Sequence, residues 1–155
     1  MDKSELRTAI ASWLNRTDLT DEQIDLFITA SETDIRNDLT VRESEQVATG
    51  AVVSNAFSAP ADYLFTRFLT VDGRVLEYLP PDQFAQRVDA QWTAGFYTIE
   101  GTTVRVLGGA AYSLTYMAQI TPLAGDGDTN WLLTNAPDIY IWAGCKYGSV
   151  FLRDP

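Results

Sequence analysis

Leu64-Phe65-Thr66-Arg67-Phe68-Leu69-Thr70-Val71-Asp72-Gly73-Arg74-Val75-Leu76-Glu77-Tyr78-Leu79 is the stretch that decides the fold class. Two runs rich in β-branched and aromatic residues flank an Asp-Gly dipeptide. That is the strongest short hairpin signal, because both turn residues must take positive φ. It predicts a strand over 64–71 and a return strand over 74–79. Just downstream, Pro80-Pro81-Asp82 opens a short helix reaching about Gln91, with proline where a first helical turn tolerates a missing amide. Three more strands are predicted over 96–100, 103–107 and 112–119, punctuated by Gly101 and Gly108-Gly109. Segment 121–137, with Pro122, Gly125, Gly127 and Pro137, reads mostly as loop.

Upstream of the hairpin the apolar period is helical. Leu6, Ala9, Ile10, Trp13 and Leu14 form one stripe of a helix over 4–14. Thr20-Asp21-Glu22-Gln23 is a capping box, in which the hydroxyl accepts from the amide three residues on and Gln23 reaches back. From that start Ile24, Ile28, Ser31, Ile35 and Leu39 share a face, with Phe27 at its edge. Asp25, Glu32, Asp34 and Asp38 flank the face and are expected to be exposed, and Glu32 can pair with Arg36 four residues on. After Leu39 the period shifts toward two over 41–47, and 50–60 reads as extended chain or loop. The order of elements predicts an α+β fold: an N-terminal helical pair, a mainly antiparallel β-sheet with a short inserted helix, and a C-terminal helix packing on the helical part. Length is consistent with a single domain over 1–155, divided into a helical pair (1–40), a β-rich region (41–120) and a loop with a C-terminal helix (121–155).

Composition limits the function classes. With 46% apolar and 12% aromatic residues the chain has the makings of a packed core. Its formal net charge of −10 is opposite to the basic surplus of a free nucleic-acid-binding domain. One cysteine, Cys145, permits no internal disulfide and suits a reducing compartment. The start, Met1-Asp2-Lys3-Ser4, lacks the apolar core of a signal peptide, and no apolar run approaches the roughly 18 residues of a membrane span. The expectation is a soluble protein made in a cytoplasm, with no membrane role. Histidine is absent, which removes the commonest general base and the usual zinc and Cys–His sites. Asp126-Gly127-Asp128-Thr129-Asn130 begins like a calcium loop. Trp131 and Pro137, however, stand where such a loop needs glycine and glutamate, so it reads as a polar surface loop. No catalytic residue, metal site or cofactor is expected.

The last helix, expected from about Pro137-Asp138 to Arg153, is the informative element. Ile139, Tyr140, Ala143, Tyr147, Val150 and Phe151 make one broad apolar face, and Ile141, Gly144, Cys145, Gly148 and Leu152 cover much of the other side. Only Trp142, Lys146, Ser149 and Arg153 form a narrower amphipathic stripe. A helix apolar nearly all round is buried on nearly all sides, and Gly144 and Gly148 permit close approach of another helix. Trp131, Leu132, Ile141, Trp142, Gly144, Cys145, Gly148 and Leu152 are therefore the candidate subunit or partner interface, the alternative being simple core packing.

Several segments, in order along the chain, resemble the phage head–tail adaptor proteins, also called head-completion or connector proteins. They are Trp13-Leu14-Asn15-Arg16 with Asp18-Leu19-Thr20, Phe27-Ile28-Thr29-Ala30-Ser31-Glu32 with Ile35, Pro60-Ala61-Asp62-Tyr63-Leu64, and Leu76-Glu77-Tyr78-Leu79. Then come Phe96-Tyr97-Thr98-Ile99-Glu100-Gly101, Asn130-Trp131-Leu132-Leu133 and Ala136-Pro137-Asp138-Ile139-Tyr140. The resemblance implies a structural virion protein at the head–tail junction, assembled in the bacterial host cytoplasm. It implies a ring of twelve subunits docked on the portal protein, extending the DNA channel and carrying tail or nozzle proteins. Genomic DNA would be only a passing, non-specific cargo, and Asp25, Glu32, Asp34 and Asp38 are candidate channel-lining acids. In that family the chain runs past the last helix into a tail that grips the portal. This sequence ends at Arg153-Asp154-Pro155, a departure that points to a shortened or partly ordered chain. Two other readings compete: an acidic module that mimics DNA, drawing on the seven acids between Asp18 and Asp38, and a glycan-cleaving hydrolase using paired carboxylates.

Overall fold

The computed structural model describes residues 1–89 and 95–153 and is α+β. Its contacts group into two compact units, Met1–Glu43 with Ile120–Pro155, and Ser44–Gln119. The expected first and third regions of the chain thus belong together, and the β-rich middle forms the second unit.

The helical unit starts with α1 (Lys3–Trp13) and α2 (Asp21–Asp38). Thr20 and Gln23 form the expected capping box, and α1 has one too: Asp2 accepts from the Glu5 amide while Glu5 accepts from the Asp2 amide. Ile24, Ile28, Ser31 and Ile35 are buried, as their spacing requires. The three isoleucines meet Leu6 and Ile10 from α1, Ile120, Leu123, Leu132 and Leu133 from the 120–133 segment, and Tyr140 from the last helix. Burying each such aliphatic side chain is worth about 1.5–3 kcal/mol relative to leaving it in water. Trp13 is a correction: it ends α1 at 58% exposure instead of joining the buried stripe.

In the sheet unit, seven strands run in the order β1-β7-β3-β4-β5-β6-β2. The predicted hairpin is β3 (Tyr63–Val71) and β4 (Arg74–Tyr78), joined by Asp72 and Gly73 at φ 49° and 78°. Helix α3 (Pro81–Asp89) follows; the expected end near Gln91 lies outside the described residues. It leads into β5 (Phe96–Glu100), the strand that pairs parallel, with β4. A parallel neighbour needs such a crossover, whereas a tight turn serves antiparallel pairs. β6 (Thr103–Val106) and β7 (Ala111–Ala118) complete the predicted set.

Segment 50–60, expected as extended chain or loop, is largely extended. It holds the end of β1 (Glu45–Ala51), a turn through Ser54 and Asn55 at φ 53° and 60°, and β2 (Ala56–Ser58). The strand was hidden because Thr49, Gly50 and Ala51 carry little apolar alternation; its pairing with β7 supplies the order. One face of the sheet packs Leu69, Val71, Leu76, Tyr97, Val104, Val106, Leu114 and Tyr116 together.

Segment 121–137 is also more ordered than its glycines and prolines suggest. It contains α4 (Trp131–Asn135), whose amide at Leu133 donates to the Asn130 side chain, ahead of α5 (Pro137–Phe151).

Candidate interaction surface

α5 begins with proline in its first turn and has no side-chain cap. Its fully buried line is Tyr140, Gly144 and Gly148. Tyr140 is held by its hydroxyl, which accepts from Asn130 Nδ2 at 2.8 Å, and burial pushes that phenol up to about 12. A Cβ placed on Gly144 would stand 2.6 Å from Ile10 Cδ1, and one on Gly148 would stand 2.5 Å from Leu14 Cδ1 and 3.4 Å from Phe27. Both glycines are therefore needed for close approach, but the helix they admit is α1 of the same chain. That corrects the expected intersubunit role of the glycine face.

The remaining interface candidates divide. Leu132 is buried in the chain's own core, and Trp131, Ile141 and Cys145 pack half-buried against it. Burial raises the Cys145 thiol, which leaves it a poor nucleophile. Leu152 is half-buried at the helix end. Trp142 alone among the eight is exposed, at 62%, with its ring edge-on to Trp13 at 5.1 Å. Phe151 lies beside Phe27 at 5.5 Å and stays 56% exposed, next to Val150 at 61%. The helix is thus not buried on nearly all sides.

Trp13 and Phe151 were placed on buried stripes by sequence reasoning. Helical spacing gives an angle around the axis; it does not say where the neighbouring helices end, and both residues sit at the last position of their helix.

Three of the four candidate acids are engaged within the chain. Asp25 accepts both Nε and Nη2 of Arg7 at 2.6 Å and lies 3.1 Å from Lys3 Nζ. The Arg7 guanidinium, which also bonds Asp126 at 2.8 Å, holds the Asp25 carboxyl below the ordinary carboxylate range. Glu32 accepts the Leu123 amide at 2.8 Å in place of an ion pair with Arg36, and burial pushes its carboxyl up. Asp34 accepts from Lys146 Nζ at 2.9 Å and from the Tyr147 hydroxyl at 2.7 Å, which lowers its pKa. Only Asp38 is exposed as expected. The Asp126–Asn130 loop also uses its carboxylates internally, since Asp128 accepts the amides of Ala124 and Gly125 at 2.9 and 2.8 Å. What this surface offers is exposed aromatic contact area.

A search of the curated proteins found no match. A family model described as SU10 adaptor protein matches residues 1–155, in agreement with the resemblance carried by the segments quoted above. The chain belongs to the SU10 adaptor protein family and is a structural adaptor protein of a bacteriophage virion.

Proposed function

We propose that the protein works as a ring-forming head–tail adaptor that docks beneath the portal, extends the DNA channel and carries tail proteins, with no catalytic step of its own. The observation that carries this reading is the Trp13–Trp142 pair, two indoles side by side and each more than half exposed. Aromatic side chains of this size anchor protein interfaces, where burying them contributes most of the binding energy. Subunits carrying a net charge of −10 repel one another, so closure of a ring is expected on the portal and not in free solution. The resemblance puts the ring at twelve copies, in the virion at the head–tail junction, after assembly in the host cytoplasm. Among the described residues no helix is long and apolar enough to cross a membrane. DNA is a passing cargo in this reading, and Asp38 is the acid best placed to line a channel, because its carboxylate is exposed. The DNA-mimic alternative needs a row of free carboxylates, and Asp25, Glu32 and Asp34 are engaged elsewhere.

The test is Trp142→Ala, alone and with Trp13→Ala. Because both rings are largely in water, thermal stability should change by less than about 1 kcal/mol. Ring formation on purified portal, followed by light scattering and electron microscopy, should fail. Normal rings from the double variant would overturn the reading of this patch. A stable dimer indifferent to portal would count against the adaptor mechanism itself.

A further inference from the structure

The sheet ends in two edges of opposite character. β2 is three residues long, Phe57 within it is buried, and Val53 bridges back onto Ala56. β1 is seven residues long, and every one except Ala48 is exposed. Its pairing with β7 uses one side only. The Val52 amide donates to the Ala110 carbonyl, and antiparallel bonding alternates along a strand. Gln46, Ala48 and Gly50 therefore bond to β7, while Glu45, Val47 and Thr49 aim their N–H and C=O groups outward. No backbone partner among the described residues takes these groups.

Natural edges are blunted by brevity, lysine, proline or a bulge. β2 is blunted by brevity; β1, Glu-Gln-Val-Ala-Thr-Gly-Ala, has no lysine or proline and keeps its register from Glu45 to Ala51. The register also sets Val47, Thr115 and Phe68 side by side on one face, with Phe65 and Met117 one step along. Val47, Phe65 and Phe68 remain 62%, 39% and 48% exposed. A strand added beside β1 would extend this apolar row with alternate side chains of its own. Glu43 and Glu45 are exposed where β1 begins, and the whole chain is acidic.

We infer that the β1 edge accepts an extended segment of a partner protein by strand addition, a segment with apolar residues at alternate positions and neutral-to-basic charge. A second copy of this chain fits poorly: β1 against β1 makes a closed twofold pair, and the other edge offers only the three residues of β2. The inference rests on the adaptor reading for the identity of the donor, a portal or tail protein.

The experiment is residue-resolved deuterium exchange on the full chain, alone and mixed in turn with the purified portal and tail proteins of the same phage. Ala48 and Gly50 amides should exchange slowly throughout. Val47 and Thr49 should exchange quickly in the free chain and slow by at least about tenfold in the complex. Val47→Pro removes an outward N–H without removing a bond to β7. It should weaken binding about tenfold with unfolding temperature kept, while Val47→Thr binds as the native chain does. Binding that leaves Val47 and Thr49 unprotected overturns the strand addition and leaves the adaptor reading standing. Binding to neither protein overturns both. Protection that grows with the concentration of this chain alone gives the edge to a second copy and overturns the partner version.

Discussion

The helical unit is tied together by charges that bridge distant segments: Arg7 on α1 joins Asp25 on α2 and Asp126 in the loop, with only 13% of its side chain exposed. In the sheet unit the ion pairs Arg67–Glu45 and Arg105–Glu100 leave their side chains 40–58% exposed. Pairs that wet contribute about 0–1 kcal/mol. Segments of that unit are joined instead by rings: Phe57 stacks on Tyr112 at 3.6 Å, Tyr63 on Tyr116 at 6.0 Å, and Tyr78 meets Tyr97 edge-on at 5.6 Å. The difference teaches where each unit is vulnerable. Ring truncation should register in the sheet unit, and overpacking or a change of pH in the helical one.

The largest effect is expected from Phe57→Ala. It removes a buried ring that links β2 to β7, and Phe→Ala in a core costs about 3–5 kcal/mol. Deuterium exchange should speed up in β2, β6 and β7 while α1, α2 and α5 keep their protection. Equal loss in the helices would mean that the two units unfold as one, and the contrast would break there. Gly148→Leu comes next. With Leu14 and Phe27 already against this position, overpacking should cost about 1–3 kcal/mol, with or without portal present. An unchanged unfolding temperature with failed ring assembly would return the glycine face to an intersubunit role.

The same contrast explains what could be read from the sequence. Helices are local, so the Thr20–Gln23 box and the spacing of Ile24, Ile28 and Ile35 were enough to place α2 and its buried face. The hairpin was legible for the same reason: Asp72-Gly73 needs no distant partner. β1 was legible only at its start, where the period of two over 41–47 overlaps it; Thr49-Gly50-Ala51 becomes a strand only through Ser113, Tyr112 and Ala111 some sixty residues away. α4 was obscured by the turn residues before it, although Asn130 ahead of Trp131-Leu132-Leu133 is a capping signal. At the site, Trp142, read as part of an amphipathic stripe, is exposed. The fate of Gly144, Gly148 and the acids was settled by which neighbour stood opposite, and helical spacing carries no such information.

The smallest expected effect is that of Glu32→Gln, and it tests the charge side of the contrast most directly. Glu32 is half-buried, accepts the Leu123 amide, and feels Arg36, Lys3 and the Tyr140 hydroxyl; burial outweighs them and raises its pKa above the ordinary 4.5. A carboxyl raised on folding favours the proton in the folded state. Its contribution is therefore fully present below 4.5 and is lost as pH rises through the folded value. Asp25 runs the other way. Lowered from 3.8 by Arg7 and then Lys3, it stabilises above 3.8, and that contribution is lost as pH falls through its depressed value. Stability of the native chain should thus rise slightly from neutral pH toward 4.5 and fall at lower pH. Glutamine keeps an acceptor for the Leu123 amide and removes the charge. The variant should be more stable than native at pH 7, by under about 1 kcal/mol, with the rise toward 4.5 erased and the acid fall kept. In the sheet unit, Tyr97 and Tyr116 are displaced upward, Tyr116 to about 12, so neither titrates in this range. Urea titrations of both proteins between pH 3 and 8 decide the matter. Identical profiles would show that the half-buried carboxyl is well enough served by its donors to cost nothing, and the helical unit's sensitivity to charge would then rest on its lowered carboxylates, Asp25 with its two cations and Asp34 with Lys146 among them.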